Sequence, residues 1–150
     1  MEQLTSVKTG VLATVGIAFG WVCNVLGGAD GVLMALMILM LIDYFSGIFV
    51  ALVFKNSPKT ESGGASSNAG FRGICKKIMM LLIVLLAYRM DILLGMDYIR
   101  SATIMAFLVN EGVSITENAG LMGVPVPLPL KNAIDLLSAK ESKEAKKKVV

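Results

Sequence analysis

Val32–Phe54 reads VLMALMILMLIDYFSGIFVALVF, and its only charged residue is Asp43. At 1.5 Å rise per residue, a helix of this run is about 34 Å long, against a bilayer core of about 30 Å. A soluble domain within 150 residues does not need so long an unbroken apolar segment. The run therefore reads as a transmembrane helix with a carboxylate near the membrane midplane. An ionised group there is expensive and is kept where it has a partner or a watery surface to face. The expectation is a polytopic membrane protein with something polar inside it.

Composition points the same way. The apolar fraction is 55% and the mean hydropathy +0.73, both high for a soluble domain. The length suits one domain. There is no histidine, which removes the commonest general base and the commonest metal ligand. Cys23 and Cys75 lack metal-site spacing and read as packing residues rather than a disulfide. No enzyme activity, cofactor or metal is expected. Lys8 precedes an apolar stretch, but no small-residue cleavage site ends it and more apolar segments follow. The start of the chain is therefore not read as a signal peptide.

Four apolar segments stand out, at about 9–26, 32–54, 74–94 and 101–122. Only Gly27, Gly28, Ala29, Asp30 and Gly31 separate the first two, which predicts an antiparallel helical hairpin. The loop after the second is rich in Ser, Gly and Asn, reads as flexible, and carries Lys55, Lys59, Arg72, Lys76 and Lys77 against Glu61. A short link with Asp97 and Arg100 joins the last two. After Pro125, Pro127 and Pro129 comes a tail that reads as partly helical from Lys131, with Ala133, Ile134, Leu136 and Leu137 as a short apolar stretch, and then charged with Lys140, Lys143, Lys146, Lys147 and Lys148. Glutamates interrupt these lysines and no aromatic residue accompanies them, so nucleic acid is not an expected partner. Near an anionic leaflet they would hold lipid headgroups.

Positive charge concentrates on cytoplasmic loops. Four spans place the basic loop and the lysine tail together on that side, with both termini cytoplasmic. The predicted fold is an all-α integral membrane protein with four transmembrane helices in hairpins. Its domain would cover residues 1–130, with a short charged cytoplasmic tail over 131–150. The alternative is three spans plus an interfacial amphipathic helix formed by the fourth segment.

Polar and small residues mark candidate contact faces. Gly16 and Gly20 form a GxxxG on the first span, with Asn24 on the same face. Close helix approach there would serve either an oligomer contact or packing on the second span. Asp43, Gly47 and Ala51 repeat every four residues on the second span. On the fourth segment Thr103, Asn110, Ser114 and Glu117 line one face, flanked by Glu111 and Asn118. Ile104, Met105, Leu108, Ile115, Ala119 and Met122 are read on the opposite side. A helix of this kind would turn its polar face to water or to another subunit. Arg89 either snorkels to the interface or pairs with Asp43 or Glu111 to neutralise a buried charge.

Four stretches in order, LIDYFSGIFVALVFKN, SSNAGFRGICKKIMMLLIV, MDI and NEGVSITENAGLMGVPVPLPLK, resemble the toxin-secretion/phage-lysis holin family. The likeness covers roughly Leu41 to Lys131. It implies a phage-type protein of the bacterial cytoplasmic membrane that forms homo-oligomers among its lipids and opens lesions. An endolysin, or in some relatives a large toxin, then crosses without needing a stable complex. The family's recurrent positions fall here on Asp43, Gly47, Ala51, Ser67, Gly70, Gly73, Lys76, Asp91, Glu111, Ser114, Glu117, Asn118, Gly123, Pro125 and Pro127. Gly112 stands where a larger apolar residue is expected. The rival functions are an antiholin or regulatory membrane scaffold, and a small ion channel or transporter.

Overall fold

Asp30 starts the decisive helix. Its backbone is extended and its side chain accepts from Leu33 N at 2.8 Å, the capping bond that an N-terminal aspartate supplies. In the computed structural model, which describes residues 1–60 and 62–137, the described chain is all helical. The helices are α1 (Glu2–Val25), α2 (Gly31–Phe49), α3 (Ser67–Leu94) and α4 (Ile99–Leu121), and residues 128–137 are helical as well. A π-helical turn, Val50–Phe54, prolongs α2 and stops at Lys55, whose φ of 49° is left-handed. Two helices, Thr5–Val25 and Gly31–Phe54, are long and apolar enough to cross a membrane. The other two long helices carry more charge: Arg72, Lys76, Lys77, Arg89 and Asp91 on α3, and Arg100, Glu111 and Glu117 on α4.

α3 begins seven residues before the apolar segment that announced it. The second half of the expected loop, SNAGFRG, is helix, and Gly70 and Gly73 lie against the Tyr44 ring and hydroxyl of α2. A loop reading built on Gly and Ser misses this, because those glycines mark close helix approach rather than a turn. At its other end α3 stops at Gly95, in the left-handed conformation glycine adopts without strain.

Three helices make the bundle, with α4 packed along both α2 and α3. Their inward stripes are spaced by three and four: Leu33, Leu36, Met40, Asp43, Gly47 and Val50 on α2; Lys77, Met80, Val84, Ala87 and Asp91 on α3; Arg100, Ile104, Phe107, Glu111, Ser114 and Asn118 on α4. That 3.5-residue period is the seam of supercoiled helices. It also corrects the reading of α4. Ile104 is seven residues from Glu111, hence on the same face, and it is fully buried in the apolar core two turns away.

The bundle has two halves. Leu26, Leu33, Leu36, Met40, Met80, Val84 and Ile104 form a wholly apolar core in one. The other holds Asp43, Lys77, Glu111, Ser114 and Asn118. The expected hairpin of the first two spans does not form. α1 packs along none of the other helices, and residues 5–21 are exposed. The chain enters the core only at Val22, Cys23 and Leu26. Five residues suffice to turn the chain, but Arg100 fixes the carbonyls of this link and so decides where it goes.

Candidate functional site

Asp43 is the centre of a polar cluster that joins all three bundle helices. One oxygen accepts from Lys77 Nζ of α3 at 2.8 Å. The other accepts from Ser114 Oγ at 2.5 Å and from Asn118 Nδ2 at 3.2 Å, both on α4. The Lys77 ammonium also donates to Glu111 Oε2 at 2.5 Å, so one cation bridges a carboxylate of α2 and a carboxylate of α4. Asn118 Nδ2 reaches Ser46 Oγ at 2.8 Å. Glu111 is 2% exposed. Among the described residues no buried side-chain nitrogen or oxygen lacks a hydrogen-bond partner. Burying two carboxylates is tolerated on such terms, because both meet the Lys77 ammonium and Asp43 also accepts from Ser114 and Asn118.

Beside this cluster lies a cavity of about 450 Å³, bounded by α2, α3, α4 and the loop between α2 and α3. Asp43, Gly47, Ala51, Asn110, Glu111, Ser114 and Glu117 all line it, and Asn118 bonds at its wall. The residues singled out on α2 and α4 are therefore brought together within one chain. Asn110 and Glu117 are exposed while Glu111 and Asn118 are buried, so the expected polar face is split between the cavity and the helix seam. The loop side adds Ser57, Lys59 and Thr60, with Lys59 Nζ next to Gly47. This loop is tied to itself by Ser57 N to Gly63 O at 2.9 Å and Thr60 Oγ1 to Gly64 O at 2.8 Å. Asn56 Nδ2 ties it to the end of α4 through Leu121 O at 3.3 Å.

Arg89 does not join Asp43. Its guanidinium lies 5.8 Å from the centre of the Tyr88 ring, and the cation beside Asp43 is Lys77. Arg89 sits twelve residues, more than three turns, beyond Lys77 along α3, too far along the axis to reach Asp43. Lys77 was hidden in a basic stretch that reads as loop. The signal that finds it is its spacing of three, seven, ten and fourteen residues from Met80, Val84, Ala87 and Asp91.

A second polar network closes the opposite end. Asp91 of α3 accepts from Ile99 N at 2.9 Å and Arg100 N at 2.8 Å, capping α4 from a neighbouring helix. Buried Arg100 donates to Leu26 O at 2.6 Å, Gly28 O at 3.1 Å and Asp30 Oδ2 at 2.5 Å. That bond to Arg100 holds the Asp30 carboxyl below the ordinary carboxylate range. Gly27, at φ 96°, lies under Arg100 and Tyr88 where a Cβ would stand 2.8 Å from each.

Gly16 and Gly20 have no atom within 4 Å of a built Cβ, and Asn24 is exposed. Among the described residues they do not pack on the second span. Gly112 has a neighbour no sequence pattern announced: Ile134 of the helical stretch 128–137 stands 3.5 Å from its built Cβ. The missing side chain on α4 makes room for that residue. Lys140, Lys143, Lys146, Lys147 and Lys148 lie outside the described residues.

The described residues contain no cluster of three or more metal-ligating side chains. The profile of the bacteriophage holin family matches residues 20–139. An uncharacterized protein of Listeria innocua is 36% identical over 93% of this chain and 92% of its own. One from Halalkalibacterium halodurans is 37% identical over 95% of this chain and all of its own. A probable holin of Bacillus phage phi105 is 25% identical over 75% of this chain and 78% of its own. No solved structure matches. With most of its length under that profile, including both polar networks and the cavity, the chain belongs to the bacteriophage holin family, whose members are non-enzymatic pore-formers.

Proposed function

We propose that this protein is a holin of the bacterial cytoplasmic membrane, which oligomerises and opens lesions through which an endolysin, or a large toxin, reaches the far side and the host cell lyses. The observation that carries this reading is the buried polar cluster of Asp43, Lys77, Glu111, Ser114 and Asn118 inside helices of which one is long and apolar enough to cross a membrane. Such groups prefer water to lipid. Once exposed in an assembly they would line a wet opening, together with Gly47, Ala51, Asn110 and Glu117. α1 supports lateral association, since the small face at Gly16, Gly20 and Asn24 has no packing partner among the described residues. Four spans with both termini cytoplasmic place the lysine-bearing loop and the end of α4 on one side, in keeping with the bond between Asn56 and Leu121.

The test is induced expression in a bacterial host, with and without a co-expressed endolysin. The expected result is abrupt loss of membrane potential, followed by lysis only where the endolysin is present. Continued growth at full potential with abundant protein in the membrane would overturn the reading in favour of a scaffold or antiholin.

A further inference from the structure

The α2–α4 seam is held differently in its two halves. In the apolar half Leu36, Met40, Val84 and Ile104 interlock. Lipid chains are as apolar as leucine, so this packing gives little preference for the monomer over a rearranged neighbour. In the polar half the bonds are directional, and they converge on one ammonium. Lys77 of α3 touches Asp43 of α2 at 2.8 Å and Glu111 of α4 at 2.5 Å. Three helices therefore meet at a single atom. Ser114 and Asn118 of α4 complete the ring around Asp43. If α4 swings away, Glu111, Ser114 and Asn118 all leave their partners together. They can then be satisfied only by water or by the same groups of another copy.

We propose that Lys77 is the latch of the closed monomer: it pins the polar face of α4 against α2, and release of this bridge is the step that exposes that face for assembly. Lys77 is a positioning residue here, because it acts through what α4 presents. The latch rests on the holin reading for its consequence, but its opening is measurable without any lysis. The cavity at its side supplies the competing groups. Lys59, Lys76 and Glu117 stand in the same water-accessible space, so the bridge is reached from the loop side and not from the apolar half.

Two experiments separate the latch from the function it would serve. The first reads the seam directly. With Cys23 and Cys75 replaced by Ser, Asn118→Cys is placed in membranes and its reaction with N-ethylmaleimide is followed. Lys77→Met and Glu111→Gln should each speed labelling at least five-fold. Lys77→Arg should recover most of the protection, and Met105→Ala, on the exposed face of α4, should leave the rate unchanged. Equal labelling rates with and without the lysine would overturn the latch, whatever happens to the cells. The second uses Ser46→Cys with Asn118→Cys, whose native side chains touch at 2.8 Å and which leaves Lys77 in place. The disulfide ties α2 to α4. Oxidised cells should keep their membrane potential, and a reductant should release depolarisation within minutes. Depolarisation of oxidised cells on the reduced schedule would overturn the latch. Failure of the reduced chain to depolarise at all would instead overturn the holin reading, leaving the labelling result to decide the latch.

Discussion

Arg100 is the most connected residue of the end opposite the cavity. It gives three side-chain hydrogen bonds, two of them to backbone carbonyls of the link between α1 and α2. Its removal leaves Leu26 O and Gly28 O without this donor and Asp30 without its cation. Hydrogen bonds to charged groups contribute about 1.5–3 kcal/mol each, less where a partner is as exposed as Asp30. Arg100→Ala should therefore lower the unfolding midpoint in detergent by several degrees, read by circular dichroism. The pH dependence follows from Asp30. Its carboxyl is depressed in the folded chain, so the stabilisation is present above its unfolded value and is lost as pH falls through the folded one. Wild type should lose stability below about pH 4, and Arg100→Ala should lose less over the same range. The residues differ in how visible they were. A lone aspartate in an apolar run announces itself, whereas Arg100 stands at a segment edge where any arginine passes for an interfacial one.

At the scale of elements, Gly112 and the stretch 128–137 form a matched pair. Ile134 fills the space that a side chain on α4 would take. A methyl there meets ordinary van der Waals distance, so Gly112→Ala should be tolerated and should favour the helix by up to about 1 kcal/mol. Gly112→Leu has to displace Ile134. Trypsin cutting after Lys131 should then be markedly faster than in wild type or Gly112→Ala, and equal rates would sink this packing. Helix positions were largely legible from apolar runs, with α2 and α4 starting within two residues of expectation. The helix over 131–137 follows its short apolar stretch, whereas α1 and α3 each begin seven residues before expectation. What the pattern did not show is which glycines serve as contact points for residues far away in sequence, Tyr44 for Gly70 and Gly73, and Ile134 for Gly112. Local pattern carries no trace of such a partner.

For the whole molecule, the two polar networks lie at different levels of one bundle, separated by a dry layer. The proposed topology sets them toward opposite compartments. With Cys23 and Cys75 replaced by Ser, Asp97→Cys should react with an impermeant thiol reagent added outside intact cells. Ser62→Cys should react only after the membrane is opened. Labelling of both, or of Ser62→Cys alone, would contradict the assignment. The candidate site was half legible: its carboxylates and small residues were visible as a list, while the cation that unites them was assigned to a loop. Charge counting alone could not choose between Arg89 and Lys77, since only the register of α3 decides which of them faces inward at that depth.

α1 shares little with the bundle before Val22, and the family profile begins at residue 20. The two boundaries nearly coincide. Mutational pressure should therefore fall unevenly along the chain. From Val22 onward a substitution is judged by its neighbours within the fold. In the proposed assembly, before that point it would be judged only by the lipid and by whatever copy lies alongside. On that proposal, the opening twenty residues are the place where descendants of this protein would adjust how readily copies meet, without disturbing how each one folds.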